Sequence, residues 1–168
     1  YIVDNAGDFI VEALGAGIDL AQCYISYALP AFVDHLKLLG SANLSAVGNS
    51  GVNILEGNSG NNVLTGGRGV DVLRGLEGRD IFDFNSKLDS GLKASTRDRI
   101  EDFQRGLDDI DVRTIDAKSG SGNQAFTFIG KQGFHHKAGE LHYRFSGANT
   151  IVEGDINGDG RADFQIEL

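Results

Sequence analysis

Between residues 48 and 83 the chain repeats itself every nine residues, four times without a slip: 48–56, 57–65, 66–74 and 75–83. The first place is held by Gly48, Gly57, Gly66 and Gly75, and the fourth by Gly51, Gly60, Gly69 and Gly78. The sixth place reads Asn53, Asn62, Asp71 and Asp80, and the eighth Leu55, Leu64, Leu73 and Phe82. A unit this short holds one turn of about six residues and one strand of about three, so two units make a full coil of a parallel solenoid. Glycine is needed where a turn demands positive φ or where the backbone of a neighbouring coil comes close. The eighth-place side chain points inward between two sheets, flanked by Ile54, Val63, Val72 and Ile81. The predicted fold class is all-β: a parallel β-roll, or β-solenoid, of nonapeptide repeats capped by a small antiparallel β-sheet.

One inward aliphatic per repeat buries little apolar surface against an ordering cost of about 1–2 kcal/mol per residue. Something else must hold the coils together, and the sixth place supplies it. Turns two repeats apart stack on the same side, about 4.8 Å from each other. Carbonyls of one turn then face the carboxylates of the next, an oxygen cage of the kind Ca²⁺ prefers over Mg²⁺ or transition metals. The candidate metal-binding positions are therefore Asn49, Gly51 and Asn53 in the first turn, and Asn58, Gly60 and Asn62 in the second. In the third they are Gly66, Gly67, Arg68, Gly69 and Asp71, and in the fourth Gly75, Leu76, Glu77, Gly78 and Asp80. An Asn oxygen can ligate Ca²⁺ but brings no charge. The Asp turns are thus expected to hold calcium most firmly, with Asn turns weak or empty; a metal-free solenoid with Asn ladders is the alternative.

The segment 66–74 matches every specified place of G-G-x-G-x-D-x-U-x, and here the chain resembles the RTX, hemolysin-type family of calcium-binding β-rolls. The other three repeats depart at the second place, with Asn49, Asn58 and Leu76. Residues 1–8, 26–29 and 33–36 resemble the degenerate coils that precede such repeats. The stretch 98–103, with Gly106 and 108–111, resembles the segment capping the β-roll of serralysin-type metalloproteases. That resemblance implies an acidic residue completing the last calcium site: Asp98 is the matching candidate and Asp89 a weaker one. Residues 126–130, 138–141 and 163–166 resemble the C-terminal sheet of the same family. Three segments are expected: 1–47, degenerate N-terminal coils; 48–83, the calcium-binding repeats; and 84–168, a cap with antiparallel strands.

Within the last segment, strands are expected over 125–129, 140–145, 149–152 and 162–168. They follow the Gly/Ser-rich break 119–122, with a hairpin turn at 146–148. Phe126/Phe128, Leu141/Tyr143/Phe145 and Phe164/Ile166/Leu168 each share a face. A second candidate metal loop is Asp155, Asn157, Asp159, Arg161 and Asp163, spaced as D-x-N-x-D-G-x-x-D. It reads equally well as an ion-free Asp/Asn/Gly turn, because the distal Glu of an EF-hand is missing. His135, His136 and His142 lack the Cys or carboxylate spacing of a zinc site.

A formal net charge of −9 makes nucleic acid a poor partner, since phosphates require Lys and Arg, and suits cations instead. No apolar run is long enough to insert in a membrane. The single Cys23 can form no internal disulfide and reads as a small buried hydrophobe. The 24 glycines are about twice average usage, and a chain starting at Tyr1 without any Met is expected to be a piece of a larger polypeptide. No His-Glu-x-x-His is present, so the chain is expected to be non-catalytic. The resemblance implies a secreted, extracellular module whose partners are calcium ions and type I secretion machinery, with an export signal beyond Leu168. The competing reading is a carbohydrate-binding accessory module for an anionic polysaccharide, with Arg68, Arg74 and Arg79 as candidate contacts. A surface adhesin is a third.

Overall fold

The computed structural model describes residues 1–15, 17–118, 120 and 122–168, so Ser119 and Ser121 of the expected break lie outside the described residues. Each nonapeptide ends in a three-residue strand: β6 (Ile54–Glu56), β7 (Val63–Thr65), β8 (Val72–Arg74) and β9 (Ile81–Asp83). In all four the middle residue is buried and its neighbours half-buried, which is what a pleated strand with one face on the core requires. Alternate repeats go to opposite sheets. β6 pairs in parallel with β8, and β7 with β9, at a step of 18 residues. The expected β-roll is thus the observed one.

Earlier segments continue the same winding. β1 (Ile2–Val3), β2 (Leu20–Cys23) and β4 (His35–Leu38) precede β6 in one sheet. β3 (Tyr27–Ala28) and β5 (Ser45–Val47) precede β7 in the other. Beyond the repeats, β10 (Arg99–Ile100) extends the first sheet and β11 (Asp109–Asp111) ends the second. The core is two facing columns. Ala21, Leu36, Leu55, Leu73 and Ile100 stand in register in one sheet, and Ala46, Leu64 and Phe82 in the other. All eight are at most 1% exposed, and Phe84 closes the stack near the C-terminal end. Cys23 belongs to this core as a free thiol, its pKa pushed up to about 11 by burial.

The C-terminal strands form the expected antiparallel segment and differ from the expectation in three details. First, they form no separate sheet. β15 (Phe164–Glu167) pairs in parallel with β10, so the roll's own sheet runs on through β14 (Asn149–Asp155), β13 (Glu140–Ser146) and β12 (Thr127–Phe128). The parallel winding turns antiparallel only at β14, through the hairpin at Gly147, where φ is 64°. Second, the strand expected over 125–129 contracts to two residues, and β12 runs parallel to β13. Third, the Leu141/Tyr143/Phe145 face stays partly open, while β13 buries Glu140 and His142 instead. The polar face survives burial because its carboxylates find partners, although His142 Nδ1 is buried without one. Glu153 receives Arg144 Nε (3.0 Å) and Gln165 Nε2 (2.6 Å) and faces His142 Nε2 (3.0 Å). Among the described residues no helix is long and apolar enough to cross a membrane.

Candidate metal centre

The turns stack in two columns, one on each edge of the roll, and each is tied by the sixth-place residue to the turn one coil earlier. The backbone N–H of Asn53 donates to Asp71 Oδ1 (2.7 Å), and that of Asp71 to Asp98 Oδ1 (2.8 Å). On the opposite edge the N–H of Asn62 donates to Asp80 Oδ1 (2.8 Å), and that of Asp80 to Asp108 Oδ1 (3.0 Å). A single carboxylate oxygen is spent on each of these links. The other oxygens of Asp71, Asp80 and Asp98 are buried without any hydrogen-bond partner.

The free oxygens of Asp71 and Asp80 face the inside of the turns. An added Cβ on Gly66 would meet Asp71 Oδ2 at 2.6 Å, and one on Gly75 would meet Asp80 Oδ2 at 2.3 Å. Backbone carbonyls close in from the preceding coil. Gly69 sits at φ 144° with the Gly51 carbonyl so near that a Cβ would come within 2.1 Å of its oxygen. Gly78 repeats the arrangement against Gly60, at 2.4 Å. The fourth-place glycine is therefore fixed by close approach as much as by φ.

Burial shapes the electrostatics. Loss of solvent raises the Asp71 carboxyl from its ordinary 3.8 to about 7, with the neighbouring Asp89 charge adding to the rise. Asp98 is raised to about 8, again first by burial, then by the charges of Asp71 and Asp89. Asp80 is raised by burial, with the charges of Asp108 and Asp102 contributing. A buried anion with an unpartnered oxygen costs several kcal/mol unless a proton or cation neutralises it. Among the described residues no three His, Cys, Asp or Glu side chains converge as metal ligands. An ion held here would therefore be coordinated mainly by turn carbonyls with one or two carboxylate oxygens, a hard-oxygen set suited to Ca²⁺. On donor type, crowding and orphaned charge, the turns at 66–71 and 75–80 fit such an ion.

The candidates sort unevenly on the structure. Asp71, Asp80 and Asp98 lie against the glycine-rich turns, each accepting a backbone N–H of the turn before. Asp89 instead caps its own loop, its Oδ2 accepting the N–H groups of Asn85 (2.9 Å) and Ser86 (2.8 Å). In the first two turns the sixth-place oxygen is already spoken for: Asn53 Oδ1 accepts Asn49 N–H and Asn62 Oδ1 accepts Asn58 N–H, both at 2.7 Å. The loop 155–163 closes on itself. Asp155 accepts the N–H groups of Gly158 (2.7 Å) and Gly160 (2.9 Å), one on each oxygen. Asp163 Oδ2 accepts Ile156 N–H (2.7 Å), Asn157 Oδ1 accepts Asp159 N–H (2.8 Å), and Asp159 Oδ1 accepts Arg161 N–H (2.9 Å).

Residues that the spacing did not single out complete the columns. Asp102 clamps the fourth turn, accepting Gly75 N–H and Leu76 N–H at 2.9 Å each. Ser90 positions Asp98, whose N–H donates to Ser90 Oγ at 2.8 Å. Asp34 accepts Asp19 N–H at 2.9 Å, and Asp19 Oδ2 is another buried oxygen without a partner. The signal for Asp19 was present in Gly15-x-Gly17-x-Asp19, places two, four and six of a degenerate repeat.

A parallel roll with glycine turns and inward-facing carboxylates defines a β-roll repeat module, and comparison with known proteins places it. The model of the peptidase M10 serralysin C-terminal family matches residues 32–168, and the chain belongs to that family. Among solved structures it is similar to the solution structure of the AlgE6R3 subunit from the Azotobacter vinelandii mannuronan C5-epimerase. The two are 23% identical over 97% of this chain and 78% of that one, with a TM-score of 0.48. No curated protein matches the chain.

Proposed function

We propose that the chain is a calcium-binding β-roll module of a larger secreted protein, non-catalytic in itself, that folds on meeting extracellular Ca²⁺. The observation that carries this reading is the set of three buried, unpartnered carboxylate oxygens of Asp71, Asp80 and Asp98 inside carbonyl-lined turns. When bound, Ca²⁺ would supply the positive charge these turns lack. Asp71 and Asp80 would each link two coils through Oδ1 and face the ion through Oδ2. Asp98 would do the same at the end of one column, and the carbonyls of 48–53, 57–62, 66–71 and 75–80 would fill the remaining coordination. Membership of the serralysin C-terminal family supports the same reading.

Such a module answers to its surroundings. Where calcium is scarce, the carboxylates repel and the chain stays loosely folded, a form suited to a type I export channel. Outside, binding to the folded state alone stabilises it by mass action, about 2.7 kcal/mol per site at a calcium concentration of 100 times Kd. The two turns at 66–71 and 75–80 would together contribute roughly 5 kcal/mol, the lower end of the whole stability of a small domain at about 5–15 kcal/mol. Circular dichroism and thermal melting of calcium-loaded protein, with and without EGTA, test this. Loss of β signal or a large fall in Tm is expected; an unchanged spectrum and Tm would overturn it.

A second reading, an accessory module for an anionic polysaccharide, has one observation in its favour. Lys131 lies 4.4 Å from the Phe145 ring centre and 5.8 Å from that of Tyr143, beside an open groove that also takes in Phe128. Two of the three candidate arginines are less suited, because Arg74 pairs with Glu101 (2.6 Å) and Arg79 with Asp109 (2.7 Å). Titration with anionic oligosaccharides decides it: saturable binding lost in Lys131→Ala supports this reading, and no binding removes it.

A further inference from the structure

The amides of the first two repeats do more than lack charge. Asn49 Nδ2 donates to the carbonyls of Pro30 and Val33, both at 2.8 Å. Asn53 Nδ2 donates to those of Val33 (3.1 Å) and Asp34 (3.2 Å). On the opposite edge Asn58 Nδ2 donates to the carbonyls of Leu39 (3.2 Å) and Ala42 (3.1 Å). In each case the acceptors are turn carbonyls of the preceding coil, in the position that carbonyls of 48–53 and 57–62 hold against the Asp turns. The side-chain oxygens are satisfied too. Asn49 Oδ1 accepts Gly51 N–H (2.8 Å) and Asn58 Oδ1 accepts Gly60 N–H (2.7 Å). Asn53 is 1% exposed and Asn58 5%, so both lie in the interior, while Asn49 is half-buried.

We infer that the side-chain amides of Asn49, Asn53 and Asn58 take the place of a cation between the first turns, so that the coils leading into β6 and β7 close without metal. The difference between the turns is one of hydrogen-bond donors. A stack of inward carbonyls needs positive charge or hydrogen-bond donors between its layers. An Asn amide brings two N–H donors and one acceptor, whereas an ionised Asp brings acceptors only. Changing Asn to Asp at the sixth place therefore removes the donors and adds a charge in one step. The second place changes in concert, from Asn49 and Asn58 to Gly67 and Leu76, whose backbones stand at φ 85° and 70° and whose side chains offer no donor. Both changes fall between the second repeat and the third. The chain thus carries an amide-locked pair of repeats that can template the cation-dependent pair after it, and in a solenoid a formed coil lowers the cost of adding the next.

This rests on the calcium reading above, and one experiment on the full chain separates the two. Hydrogen exchange is followed by mass spectrometry in excess Ca²⁺ and in EGTA. Amides of β6 and β7 are expected to stay protected in EGTA, while those of β8 to β11 lose protection on the order of 100-fold. If EGTA strips all these strands equally, the amide substitution is wrong and the calcium reading stands. If calcium changes none of them, the calcium reading fails first. The double variant N49G/N53D gives the first turn the donor chemistry of the third. It should make β6 protection calcium-dependent, and β6 protection that persists in EGTA would overturn the inference.

Discussion

The first pair of repeats, 48–65, and the second, 66–83, share a period, a strand length and an inward residue, yet they satisfy their turns by opposite means. In the first pair each sixth-place side chain is neutral and bonded within its own turn, and Asn49, Asn53 and Asn58 donate to the coil before. In the second pair Asp71 and Asp80 reach back to the earlier coil through one oxygen and leave the other buried and bare. Packing is shared between the halves; neutralisation is not. What the contrast teaches is that a solenoid can keep one strand register while changing, coil by coil, how its turns are built and what they need from the solvent.

Core truncation is the strongest test that packing is common to both halves. Leu55→Ala and Leu73→Ala occupy paired positions in one column, each 0% exposed, and each should cost about 2–5 kcal/mol in chemical denaturation with calcium present. Similar losses are expected; a large asymmetry would show that one half is held by something other than its column of leucines. A smaller effect should divide the halves. Asp71→Asn removes a charge and should lower Tm in calcium by the equivalent of about 1–3 kcal/mol, while leaving the EGTA form unchanged or more stable. A variant destabilised equally in both conditions would mean that Asp71 acts only through its hydrogen bond to Asn53.

The smallest effect is set by pH. In the metal-free protein Asp71 and Asp98 have pKa values raised to about 7 and about 8 by burial, so the folded chain holds their protons more tightly than the unfolded chain does. Their contribution favours the folded state at low pH and is lost as pH rises from the ordinary 3.8 through about 7 to 8. Carboxylates with lowered pKa, such as Asp111 beside Arg113, have the opposite sign but act below this range. Protection of β8 and β10 amides in EGTA should therefore rise as pH falls from 8 to 5, with β6 and β7 unmoved. A flat response in β8 would show that these carboxylates reach solvent.

Much of this was legible because the repeat is local. Nine residues fix the turn, the strand and the inward place, and Leu55, Leu64, Leu73 and Phe82 are all buried as their position requires. Asp98 could be found only through family likeness, since it stands 27 residues after Asp71 rather than 18, across an irregular loop. The polar face of β13 was misjudged because alternation shows which residues share a face but not which face is covered. His142 and Glu153 are buried by each other and by Arg144 and Gln165, contacts that span three strands.

The sequence by itself determined the coil, its period, its handful of inward side chains and the switch from Asn to Asp. These follow from short-range sterics and from side-chain chemistry that every repeat carries with it. Only the tertiary structure decided which atoms those side chains meet. It took the stacking of coils 18 residues apart to show that three Asn amides are spent on carbonyls of the coil below, while the Oδ2 atoms of Asp71, Asp80 and Asp98 have no partner at all. It likewise took β15 beside β10 to show that the C-terminal strands extend the roll's own sheet. Hydrogen-bond donors and acceptors pair across distances that no local pattern records, and that pairing separates a self-sufficient turn from one that needs an ion.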